Sequence, residues 1–121
     1  MELKICHMYP DVLNLYGDRG NVICMKSRLE RRGIDCAVTR LPIGSAASLA
    51  GFDLVFIGGG QDFEQQGLLD DLHRSKAQEI RAAIADGVTF LTICGGYQML
   101  GSYYETYDGQ RCDFIGALDL Y

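Results

Sequence analysis

The sequence predicts an α/β fold, a mostly parallel sheet with helices on both faces, and three observations carry that expectation. The apolar runs in "FDLVFIGGG" and "VTFLTI" are almost unbroken, as strands buried on both sides are. Strand-like and helix-like segments alternate along the chain, the pattern of parallel sheets covered by helices. Each of the two runs stops at glycines, Gly58 to Gly60 and Gly95 to Gly96, and an open parallel sheet binds ligands in the loops at the carboxyl ends of its strands.

The elements follow in order. "LKICHM", residues 3–8, reads as the first strand, and the polar, glycine-containing loop "YPDVLNLYGDRGN" follows it. A helix is expected from Gly20 or Asn21, with Val22, Met25 and Leu29 at helical spacing, basic residues in the last turn and Gly33 at the position after the C-cap. "IDCAVTRL" alternates as a second strand, and the small residues from Pro42 to Ala50 form a connection with room for one helical turn. After the third strand, "LLDDLHRSKAQEIRAAIAD" reads as one long helix with Leu69, Leu72, Ile80 and Ile84 on a face and Gly87 closing it. Val88 to Ile93 is the next strand, and "YQMLGSYY" carries a short helix. The tail reads as a hairpin about Asp108-Gly109 that leads into one more apolar segment.

Composition narrows the function. The chain has 121 residues, the size of one domain, and 48% hydrophobic with 22% charged residues excludes a disordered chain. Sixteen acidic against eleven basic residues leave a net charge of −5. The one basic cluster, Lys26, Arg28, Arg31 and Arg32, falls late in the expected helix, where cations favour the negative end of the dipole, so nucleic acid is not an expected partner. The apolar runs fall well short of the ~20 residues that span a bilayer, and the N-terminus lacks the layout of a signal peptide, so a cytoplasmic protein is expected. Five cysteines without a C-x-x-C pair argue for free thiols rather than disulfides or zinc. With only His7 and His73 available, neither at ligand spacing, no metal is expected, and both histidines read as structural or solvated.

Cys94 stands apart from the other cysteines. A residue at a sharp turn from strand to helix projects its side chain above the sheet, with the N–H groups that open the helix pointing to the same space. Such a turn needs tiny neighbours, and Gly95 and Gly96 supply them. A thiolate attacking a carbonyl needs donors for the developing oxyanion, and the N–H of Gly95 with one from the Gly59-Gly60 loop could provide two. Cys6, Cys24, Cys36 and Cys112 read as small buried hydrophobes. "GGGQDF" lacks the Lys and Ser/Thr of a P-loop and has Phe63 where a dinucleotide fingerprint needs glycine, so nucleotide binding is the weaker use of that loop. Tyr9, Tyr16 and Phe63 are the aromatic residues to inspect at a substrate or partner rim, with ordinary packing the competing reading.

Three motifs in order, "YPDVLNLYGDRGNV" at 9–22, "IGGGQDFEQ" at 57–65 and "TICGGYQMLG" at 92–101, resemble the class I glutamine amidotransferase domains of the cobyric acid synthase type, nearest to the glutaminase subunits of lipid II isoglutaminyl synthases. The resemblance implies a flavodoxin-like fold and a cysteine that attacks the side-chain amide of glutamine, forms a thioester and releases ammonia, without a cofactor. It implies Cys94 as nucleophile, Gly95 and Gly60 as oxyanion donors through their backbone N–H groups, and Gln98 as a residue beside the substrate. Thr92 stands where the wider superfamily has glycine, as it does in the isoglutaminyl synthase branch.

The resemblance also implies an activating histidine far downstream of the cysteine and a residue that grips the substrate carboxylate, yet no histidine follows Cys94. The expectation is that residues 1–121 are the N-terminal part of a single amidotransferase domain, by itself inactive or nearly so and prone to self-associate through an uncovered sheet edge. The implied partner is a Mur-ligase-like synthetase subunit, forming a heterodimer that amidates D-glutamate of lipid II in peptidoglycan synthesis. The start of the chain at its first strand favours a free-standing subunit over a domain fused behind a synthetase. The alternatives are a cobyric acid synthase-type domain, a non-catalytic binding module of the same fold, or a redox or hydrolase-type domain in which Asp11 or Asp18 pairs with the cysteine.

Overall fold

The computed structural model describes residues 1–14, 18–45, 48–60 and 66–121. Strand β1 (Glu2–Met8) is central, with β2 (Asp35–Leu41) on one side and β3 (Leu54–Ile57) then β4 (Thr89–Thr92) on the other. All three pairings are parallel, in the order β2-β1-β3-β4. Helix α1 (Asp18–Arg31) joins β1 to β2, and α2 (Gln66–Asp71), a π-helical turn (Leu72–Lys76) and α3 (Ala77–Ala85) join β3 to β4. The short helix α4 (Gly95–Gln98) leads to an antiparallel hairpin, β5 (Tyr103–Glu105) and β6 (Arg111–Asp113).

This is the α/β architecture that the sequence predicts. Alternation along β1 splits its side chains between the two faces. Cys6 and Met8 enter a core with Val55, Ile57, Leu72 and Ile80, on the α3 side. Gly33 takes φ +75 and closes α1 through Ile34 N–H donating to Leu29 O at 3.0 Å, the glycine-dependent helix end its position forecast. The hairpin turns at Asp108-Gly109 with Gly109 at φ +86. The apolar segment after it buries Phe114 and Ile115 while Leu118 and Leu120 return to pair with Leu100 and Ser102.

Four expectations change. α1 begins at Asp18, before Gly20, because a buried carboxylate and the Asn14 side chain, which accepts from Arg19 N–H at 2.8 Å, serve its first turn. Among the described residues, Pro42 to Ser45 form a turn closed by Ser45 N–H to Pro42 O and carry no helix. The long helix is interrupted by the π turn. An i→i+5 turn sets residues five apart on a common side, and here it carries Lys76 inward to meet Asp71 at 2.5 Å. β4, expected to be buried, pairs only with β3 among the described residues, and Leu91 is 41% exposed.

Candidate functional site

The parallel pairing of β3 with β4 brings both glycine loops to one end of the sheet. Ile57 lies opposite Thr92, and Ile93 N–H donates to Ile57 O at 3.0 Å. The chain then turns at Cys94, which takes φ 48 and ψ −106, a backbone region that costs a side-chain-bearing residue about 1–3 kcal/mol. Gly96 N–H donates to Ile93 O at 2.8 Å, and Gln98 N–H to Cys94 O at 3.0 Å, so the helix grows directly out of the turn.

Gly96 is what permits this. A Cβ there would lie 2.6 Å from both Gly58 O and Ile57 O, so only glycine lets the elbow seat on the end of β3. The Cys94 side chain is exposed and makes no capping bond to the helix it precedes, whereas Gly95 and Gly96 are buried beneath it. Gly95 N–H opens the helix, where no intrahelical acceptor is available. Gln98, one turn beyond Cys94, is half-buried.

The loop Gly58 to Gly60 is buried between this elbow and the segment after β1. A Cβ on Gly60 would stand 3.0 Å from Leu13 Cδ2 and 3.3 Å from Val12 O, so the glycine is packed against that segment. Gly59 N–H donates to Oδ2 of Asp18 at 3.1 Å, inside the protein. Of the two loop donors that the sequence offered, Gly59 is thus already engaged, and Gly60 remains the candidate. The structure therefore brings Cys94, Gly95 and the glycine loop together, with Gln98 on the helix behind them. Residues 61–65, which include Phe63, and Tyr16 lie outside the described residues.

Several side chains have other roles than those expected. Tyr9 is no rim residue. It is fully buried at φ 52, and its hydroxyl donates to Asp71 Oδ2 at 2.7 Å. Asp71 also accepts from Lys76 Nζ at 2.5 Å and from Gly44 N–H at 2.9 Å, while Lys76 reaches Ser45 O at 2.7 Å. Desolvation raises the Asp71 pKa, but the bonds from Lys76, Gly44 and Tyr9 outweigh it and hold the carboxyl below its usual range. No hydrophobic periodicity announces this triad. Its one sequence signal is an Asp and a Lys five residues apart on a helix.

His7 is buried edge-on against Phe56, its pKa lowered first by burial, and its Nε2 has no partner among the described residues. His73 is exposed, with Nε2 2.8 Å from Asp113 O. Both fit the structural or solvated reading. Cys6 and Cys36 are buried, and burial pushes the Cys6 thiol to about 12. Cys24 corrects the expectation of burial, because it faces outward on α1 and is exposed. Among the described residues no group of His, Cys, Asp and Glu is arranged to hold a metal ion, and no helix is long and apolar enough to cross a membrane.

Comparison with known proteins decides the family. A family model described as the CobB/CobQ-like glutamine amidotransferase domain matches residues 4–121. The chain belongs to that family. It is 42% identical over 120 residues to the lipid II isoglutaminyl synthase (glutamine-hydrolyzing) subunit GatD of Staphylococcus aureus, and 38% identical to the same-named subunit of Streptococcus pneumoniae. These matches cover 99% of the chain but 49% and 46% of those relatives, so the chain spans about half of their length. A hydrogenobyrinate a,c-diamide synthase of Brucella anthropi is 32% identical over 74% of the chain, and the match covers 20% of that protein. Family membership agrees with the motifs at the elbow and the glycine loop.

Proposed function

We propose that this chain carries the nucleophile and oxyanion elements of a glutaminase site, in the manner of the small subunit of a lipid II isoglutaminyl synthase. The observation that carries the reading is the strained, exposed Cys94 at the start of α4, seated through Gly96 on the carbonyls of Ile57 and Gly58. The Cys94 sulfur attacks the side-chain carboxamide carbon of glutamine. The N–H groups of Gly95 and Gly60 stabilise the oxyanion, Gln98 borders the substrate, and collapse of the adduct expels ammonia to leave a glutamyl thioester that water hydrolyses. Ammonia must leave protonated, and His7 under α1 and His73 at Asp113 O are both otherwise placed. The acid–base group is therefore proposed to lie outside these 121 residues, which are read as the N-terminal part of one amidotransferase domain.

The proposed partner is a Mur-ligase-like synthetase subunit in the cytoplasm that uses the ammonia to amidate D-glutamate of lipid II. Higher identity over nearly the whole chain favours this reading over a cobyric acid synthase-type domain. The test is treatment with the chloromethyl ketone analogue of glutamine, followed by intact mass and peptide mapping. Labelling at Cys94 that glutamine protects, and that Cys94→Ala abolishes, supports the reading. A folded chain that stays unlabelled refutes it and leaves a binding module of the same fold.

A further inference from the structure

The glycine loop is gripped from two sides. On the elbow side, the Gly58 and Ile57 carbonyls lie where a Cβ on Gly96 would be 2.6 Å away. On the other side stands Asp18, fully buried at the first position of α1. A Cβ on Gly58 would meet Leu13 O at 2.2 Å and the Asp18 Cβ and Cγ at 2.7 Å, so the loop backbone rests directly on this side chain. Asp18 Oδ2 accepts the Gly59 N–H at 3.1 Å.

We propose that Asp18 is a positioning residue that sets the direction of the Gly60 N–H by holding the peptide between Gly58 and Gly59. The inference rests on the reading of Gly60 as an oxyanion donor. A run of three glycines has no side chain to fix its peptide planes, and each plane can rotate into more than one orientation. Because a peptide unit is rigid, fixing the Gly59 N–H leaves only the φ and ψ of Gly59 between that plane and the one that bears the Gly60 N–H. A carboxylate suits the task better than a neutral acceptor. Its bond to an N–H is charge-assisted, and a flipped peptide would turn the Gly58 carbonyl oxygen toward it. The start of α1 compensates the negative charge, since the amide dipoles of a helix favour an anion in the first turn.

The experiment compares two reagents on the unmodified chain, Asp18→Asn and Asp18→Ala. The glutamine chloromethyl ketone is attacked at its carbonyl, so its reaction at Cys94 draws on the oxyanion donors. The sulfur then passes from the carbonyl carbon to the neighbouring methylene carbon, the first carbon–sulfur bond breaking as the carbonyl re-forms and chloride leaving as the second is made. Iodoacetamide reacts with the same sulfur by direct displacement of iodide and does not use them. The ratio of the two rates at Cys94, read by peptide mapping, should fall about tenfold or more in Asp18→Ala, in line with the loss of one oxyanion donor. Asp18→Asn keeps an acceptor oxygen but tolerates the flipped peptide, and should fall by less.

An unchanged ratio in a folded Asp18→Ala, or equal slowing with both reagents, overturns the role of Asp18 while the glutaminase reading stands. Failure of the unmodified chain to react with the ketone overturns both. If Asp18→Ala does not fold, amide exchange decides on the unmodified chain and Asp18→Asn. Slow exchange at Gly59 with fast exchange at Gly60, and faster exchange at Gly59 in the Asn variant, supports the clamp, and any other pattern overturns it.

Discussion

At the residue scale, Cys94 and Gly96 show opposite backbone requirements two positions apart. Cys94 is a side-chain-bearing residue at φ 48, where glycine would be at ease. Cys94→Gly relieves about 1–3 kcal/mol of strain and gives back about 0.5–1 kcal/mol through the greater entropy of the unfolded chain. The expected outcome is a chain more stable by about 1 kcal/mol in denaturant unfolding that no longer reacts with the glutamine analogue. A site that stores strain in its reactive residue behaves so, and a cysteine present only for packing does not. Gly96→Ala is expected to cost about 1–3 kcal/mol, because its methyl group would strike the backbone carbonyls of Ile57 and Gly58 rather than a movable side chain. Thiol chemistry follows exposure in the same way. In the native chain at mildly alkaline pH, iodoacetamide should modify exposed Cys24 and Cys94, and leave Cys6, buried and pushed to about 12, unmodified until the chain is denatured.

At the scale of elements, the π turn between α2 and α3 is explained by the pair it creates. Asp71 and Lys76 are five residues apart, and the wider turn brings them together in the interior with side chains 6% and 1% exposed. The pair then ties two other segments to the helix, because Tyr9 hydroxyl and Gly44 N–H donate to Asp71 and Lys76 donates to Ser45 O in the same turn as Gly44. Lys76→Met leaves Asp71 without its counter-ion and should destabilise the chain by about 3–5 kcal/mol in denaturant unfolding. The pH dependence has a definite sign. Asp71 titrates below its ordinary 3.8 in the folded chain, so its contribution to stability is complete above that value and is lost as pH falls through the lower folded value. Denaturant midpoints measured at successively lower pH should therefore decline less steeply in Asp71→Asn than in the unmodified chain.

For the whole molecule, the strand order puts β1 and β3 in the middle and β2 and β4 outside, so amide exchange should be slowest in β1 and β3 and faster in β4, whose Leu91 is exposed. The same order places the loops after β3 and β4 side by side, which turns two distant glycine stretches into one candidate site. Much of this was legible beforehand. Apolar runs closed by glycine, helix ends at Gly33 and Gly87, and the hairpin at Gly109 are local signals, set by side-chain period and by the few residues that tolerate positive φ. The elbow at Cys94 was legible for the same reason, since a strand, a cysteine and two glycines are contiguous in the chain. The residues that hold the site were not. Asp18 meets Gly59 across 41 positions and Tyr9 meets Asp71 across 62, and no local pattern records which side chains will face each other when the sheet closes. Local signals in the chain thus specify most strands and helices, the turn at the nucleophile candidate and the motifs of the family, though not the start of α1 or the π turn. The fold, through its packing, settles that Cys24 on α1 faces outward, and that Tyr9 is buried, the helix widens at Lys76 and Asp18 occupies one of the two loop donors, the last three because a buried polar group there meets a partner distant in the chain: Asp71 for Tyr9, Ser45 O for Lys76 and Gly59 N–H for Asp18.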